Sequence, residues 1–68
     1  MNVIITPRTK TVSNRNFVDM ILALKHGGIE ASSIVRKGDE SITCTIPHGK
    51  LGFAIAAATE NRLKARAA

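Results

Sequence analysis

The chain has 68 residues, with ten Lys and Arg against five Asp and Glu and a net charge of +5. That length reads as one domain, which buries only about 60% of its unfolded surface and has little stability to spare. A single cysteine excludes an internal disulfide and a Cys-rich zinc site, and an aromatic content limited to Phe17 and Phe53 argues against a base-stacking platform.

His26 and His48 stand too far apart for a local metal motif, so neither metal nor cofactor is expected. No apolar run approaches the roughly 20 residues that span a bilayer. The opening MNVIITPRTK lacks a basic segment before a long apolar core, so it does not read as a signal peptide. The expected compartment is the cytoplasm. The excess of positive charge points to an anionic partner, either nucleic acid or an acidic protein surface.

Val3-Ile4-Ile5 is a β-branched run that predicts a strand buried on both faces and stopped by Pro7. Arg8 to Val12 follows as a basic loop. Ser13 is a good N-cap, with Asn16 where a capping box favours Glu or Gln. Phe17, Met20, Ile21 and Leu24 then form the apolar stripe of a helix, widened by Val18 and Leu22. Gly27-Gly28 ends it, and Lys25 and His26 in the last turn complement the helix dipole.

Ile29 to Val35 predicts a weaker strand, placed at an edge because Ser32-Ser33 interrupts its apolar pattern. Lys37-Gly38-Asp39-Glu40 has the composition of a hairpin turn. Beyond it, Ile42, Cys44 and Ile46 alternate with Ser41, Thr43 and Thr45, the period of a half-buried strand that Pro47 terminates. The rest of the chain is expected to pack on this hairpin. Pro47 to Lys50 is a connector.

From Leu51 the chain is alanine-rich and predicts a helix to about Arg66, with Leu51, Ile55, Ala58 and Leu63 on one face. Phe53, Ala56 and Ala57 lie off that face. Arg62, Lys64 and Arg66 would be cations at the helix C-terminus, and residues 66–68 are expected to fray. The resulting order is β-α-β-β-α, an α+β two-layer sandwich with a three-stranded sheet and both helices on one face. It looks like a ferredoxin-like split β-α-β unit without its final strand.

No set of residues converges on catalysis. His48 has no carboxylate at a suggestive spacing, and Gly49-Lys50 lacks the glycine-rich lead of a phosphate loop. Asp39 and Glu40 are adjacent rather than convergent, and Asp19 and Glu30 are isolated. Cys44, on the inward set of its strand, reads as a small core hydrophobe. The chain is therefore expected to bind rather than catalyse.

The basic residues fall into three groups, Arg8, Lys10 and Arg15 around the first loop, Arg36, Lys37 and Lys50 around the hairpin and connector, and Arg62, Lys64 and Arg66 in a basic tail; of these, Arg8, Lys10, Arg15, Lys50, Arg62, Lys64 and Arg66 are the candidate partner-binding residues. Phe53 is an apolar anchor for a partner or a homodimer if it faces water, and a core residue if it folds over the Pro47 loop. The alanines of the second helix allow another helix to approach closely.

Two resemblances bear on function. Thr43-Cys44-Thr45-Ile46-Pro47-His48-Gly49-Lys50 followed by a helix is similar to the closing strand and helix of HicA-type toxins, small ribonucleases of toxin–antitoxin pairs. The helix ending at Gly27-Gly28 resembles their first helix. In that family the catalytic histidine follows Gly-Ser or Gly-Thr on an early strand, where this chain reads Ser32-Ser33-Ile34-Val35-Arg36, so no catalytic residue carries over. In style rather than motif, a compact basic chain that starts on a strand and ends in a basic helix resembles phage-encoded host-takeover proteins. That resemblance implies a regulator acting in the host cytoplasm on a bacterial machine, often RNA polymerase.

The leading expectation is thus a non-catalytic basic protein that regulates a nucleic-acid-processing machine, specifically a phage-encoded inhibitor of host RNA polymerase and transcription. Direct binding to the backbone of double-stranded RNA or DNA is the second. A divergent HicA-like ribonuclease, which would need His48, is the third.

Overall fold

The structure, a computed structural model, describes residues 1–29, 32–38 and 40–68. The elements run β1 Asn2–Pro7, α1 Asn14–His26, β2 Ser32–Lys37, β3 Ser41–Thr45, α2 Leu51–Glu60 and β4 Leu63–Ala67. The strands form one sheet in the order β2-β3-β1-β4, with every neighbouring pair antiparallel. Two split β-α-β units interlock: β1 and β2 enclose β3, while β3 and β4 enclose β1. This is the complete ferredoxin-like arrangement, β-α-β-β-α-β.

The expected three-stranded sheet is therefore corrected to four strands, and the final strand read as missing is present. The long second helix is corrected with it. α2 stops at Glu60, where the Asn61 side-chain amide donates to the Ala57 carbonyl at 2.8 Å and Arg62 turns into the left-handed region at φ 59°. The chain reverses there and Leu63–Ala67 alternates as a strand, with Leu63 and Ala65 buried and Lys64 and Arg66 exposed. Arg66 and Ala67, read as a fraying helical end, pair with Ile4 and Val3, and the Ala68 amide donates to the Asn2 carbonyl at 2.9 Å.

The core lies between the sheet and the helices. Val3 and Ile5 from β1, Ile42 and Cys44 from β3, and Leu63 from β4 meet Phe17, Met20 and Leu24 of α1. α2 contributes the methyl groups of Ala54, Ala57 and Ala58 with the half-buried Leu51 packed beside them, so Leu51 and Ala58 face inward as expected, while Ala57, expected off that face, is buried. Ile55, placed inward by the sequence reading, is 43% exposed. Ending the helix at Glu60 removes Leu63 from its stripe, and the small alanines let the backbone lie close to β4. β1 is central but not buried on both faces, because both helices share one side of the sheet and Ile4 on the other is only half-buried.

α1 starts as expected at Ser13. Asn16 supplies the reciprocal contact of the capping box, its side-chain oxygen accepting from the Ser13 amide at 2.9 Å. α1 closes through Gly28 in the left-handed region at φ 73°. β2 is an edge strand, irregular between Ser32 and Val35, with Ser33 at φ 52°. The turn expectation at Asp39 and the strand expectation over Glu30 and Ala31 fall outside the described residues. Among the described residues no helix is long and apolar enough to cross a membrane.

Candidate nucleic-acid interface

With both helices on one side, the other face of the sheet stands open. Strand alternation decides what it presents. β1 turns Val3 and Ile5 inward and so turns Asn2, Ile4 and Thr6 outward. β3 buries Ile42 and Cys44 and presents Ser41, Thr43 and Thr45. β4 buries Leu63 and Ala65 and presents Lys64 and Arg66. The registers align these side chains into rows: Val35, Thr43, Ile4 and Arg66 lie across the four strands, and Thr6 stands opposite Lys64. Lys37 is placed opposite Ser41 on the same face.

The face is rich in hydroxyls and cations. Thr45 donates its hydroxyl proton to the Asn2 side-chain oxygen at 2.9 Å. An open depression of about 320 Å³ lies beside them, lined by Asn2, Val3, Ser33, Thr43, Cys44, Thr45 and Ala68. Two of the described acidic residues stand on the helices and one, Glu40, lies at the hairpin beside Lys37. Asp19 pairs with Arg15 on α1 at 3.1 Å, Glu60 ends α2, and Glu40 in the hairpin lies 3.8 Å from the Lys37 ammonium. The Lys37–Glu40 pair is highly exposed and is screened by water, so Lys37 still presents positive charge there.

One end of the sheet adds a basic rim. The Arg8 amide donates to the Arg62 carbonyl at 3.0 Å, and the Arg8 guanidinium donates to the Thr59 carbonyl at 3.2 Å, capping the C-terminus of α2. The Arg62 guanidinium donates to the Thr11 hydroxyl at 3.2 Å. Lys10 sits in the same loop, between Thr9 and Thr11, whose hydroxyls lie 3.0 Å apart. The β2–β3 hairpin with Lys37 is at this end as well, because β2 and β1 both finish there.

The sequence-predicted site residues thus regroup. Arg8, Lys10, Arg62, Lys64 and Arg66 come together along the rim and β4, although the last three were expected on a helix. Arg15 does not join them, being on α1 and paired with Asp19. Lys50 caps the N-terminus of α2 at the opposite end of the sheet. Phe53 lies in the helix layer, half-exposed, with its ring against Gly27 rather than in the core. The second expected group splits, since Arg36 turns to the helix side with its guanidinium carbon 5.2 Å from the Phe17 ring centroid.

His48 is exposed in the connector, and its ring makes no hydrogen bond or ion pair among the described residues. Cys44 is buried and desolvation pushes its thiol up from its ordinary value, the condition of an inert core cysteine. Sequence reasoning missed Thr43, Thr45 and Lys37 as members of one face with Lys64. The signal that could have found them was the period of two in Leu63 to Ala67. A face of cations and hydroxyls, with Phe17 buried and Phe53 behind the sheet, can hold phosphates but offers no ring for a base to stack on. In comparisons with known proteins, the chain matches no family model, no curated protein and no solved structure.

Proposed function

We propose that this chain is a non-catalytic binding protein that holds a nucleic-acid backbone on the open face of its sheet and the adjoining basic rim. The observation that carries this reading is Lys64 and Arg66 on β4, turned to the same side as the Thr43 and Thr45 hydroxyls, on a face whose described acidic neighbour is the exposed Glu40 beside Lys37 at the hairpin end. Cations contribute attraction to phosphate that does not depend on sequence, and hydroxyls donate to phosphate oxygens. The partner is duplex RNA or DNA, recognised through backbone rather than base edges.

A salt titration of binding to a mixed-sequence duplex is the direct test. The logarithm of affinity should fall with the logarithm of salt at a slope of about −4.5 if Arg8, Lys10, Arg62, Lys64 and Arg66 all contact phosphates. An affinity unchanged between low and moderate salt would contradict it.

The wider role is regulation of a nucleic-acid-processing machine in the cytoplasm, with a bacterial RNA polymerase as the specific candidate. The basic face would engage the template beside the enzyme. Capture from bacterial lysate, with and without nuclease, separates the contacts involved. A polymerase lost on nuclease treatment was bridged by nucleic acid, and one that persists is held by protein.

A further inference from the structure

The helix side of the molecule carries a second surface, on α2. Between Lys50 and Glu60 its outward residues are Gly52, Phe53, Ile55, Ala56 and Thr59, without a charge among them. Phe53 is 44% and Ile55 43% exposed. The Thr59 hydroxyl is satisfied within the helix, donating to the Ile55 carbonyl at 2.9 Å. A helix that is apolar on both its inner and outer sides is normally covered on both.

The charges at its ends indicate what covers it. Lys50 is the N-cap, its carbonyl accepting from the Ala54 amide at 3.0 Å, and Glu60 is the last helical residue. Each opposes the macrodipole of its own helix, which favours anions at the N-terminus and cations at the C-terminus. Neither makes an ion pair among the described residues. Beside a second α2 running antiparallel, both charges become favourable. Lys50 then meets Glu60 of the second copy, and symmetry repeats the contact at the other end.

We propose that α2 is a two-fold interface between two copies of this chain, with the axis passing between Ile55 and Ala56. That register sets each Ile55 against the small Ala56 of the second copy, and each Gly52 against the second copy's Thr59. The small residues let the helices approach, and the isoleucines supply the apolar contact. The two open sheet faces point away from the interface, so the dimer presents two basic surfaces. The surface of a ten-residue helix is smaller than the roughly 800 Å² per partner of a standard interface, so association is weak and is seen at high concentration.

Sedimentation equilibrium of the full chain, free of nucleic acid, tests this independently of backbone binding. The mass should rise from 7.3 kDa towards twice that value as concentration increases. Lys50→Glu or Glu60→Lys alone should weaken association roughly tenfold, since each reverses two symmetric contacts, and the two together should restore it. Ala56→Arg should leave a monomer with unchanged circular dichroism. A wild-type chain that stays monomeric at every concentration overturns the inference. So does a dimer that persists with Ala56→Arg, or a double charge reversal that fails to rescue.

Discussion

The ring of Phe53 on α2 lies across Gly27 at the end of α1, so that a Cβ added at residue 27 would stand 2.7 Å from its Cε1 atom. Gly27 has φ −78°, which any residue adopts, so the glycine serves the ring rather than the backbone. It is one point where the two helices touch. Gly27→Ala should cost about 1–2 kcal/mol by displacing the ring, within the range for overpacking. In a Phe53→Ala background the same substitution should cost almost nothing. Urea unfolding of the four proteins in that cycle checks the coupling.

Lys64 and Arg66 share the open face, whereas Arg15 stands on α1 in a pair with Asp19. Replacing Lys64 or Arg66 with Gln should therefore weaken duplex binding and lower the magnitude of the salt slope by about 1 each. Arg15→Gln should change neither. Fluorescence anisotropy over a salt series reads both quantities, and equal effects at all three positions would exclude a defined face.

Leu63 is fully buried while its neighbour Lys64 points to solvent. Leu63→Ala should cost about 2–5 kcal/mol, the range for a truncated core leucine, and Lys64→Ala only about 0.5 kcal/mol or less. For a domain this small the first loss approaches the whole stability. Thermal unfolding of both variants measures the contrast, which tests the inward and outward alternation of β4.

Arg62 holds φ 59°, a conformation that costs an L-residue about 1 kcal/mol or somewhat more and a glycine little. Arg62→Gly should raise stability by up to about 1 kcal/mol while weakening duplex binding, because a rim cation is lost. Unfolding and binding measured on the same preparation should move in opposite directions.

Burial raises the Cys44 thiol, so the folded chain keeps its proton at a pH where the unfolded chain has released it. The contribution is fully present below the unfolded value of about 8.5 and is lost as pH rises towards the folded one. Stability should therefore decline above about pH 8.5. Cys44→Val should show a shallower decline in the same pH series of denaturant midpoints.

Local pattern was enough for several elements. The stripe of Phe17, Met20 and Leu24 with Ser13 before it and Gly27-Gly28 after it specifies α1, and the alternation from Ile42 to Ile46 specifies β3. In both, propensity, periodicity and end signals agree. The placement of β2 at an edge was also legible in Ser32-Ser33. Periodicity reports which side of an element is apolar, but it does not report the neighbour that covers that side.

Only the tertiary structure decided the end of the chain. Leu63 to Ala67 is built from good helix formers and carries just two inward positions, so locally it continues α2. It becomes a strand because β1 would otherwise leave an edge of unpaired amides and carbonyls, and pairing with β4 satisfies them. That single pairing ends α2 at Glu60, turns its outer side to solvent, and carries Lys64 and Arg66 from a helical tail onto the open face beside Thr43 and Thr6. The residues of the candidate site are thus visible in the sequence, while their common surface comes from long-range hydrogen bonding, which no local pattern encodes.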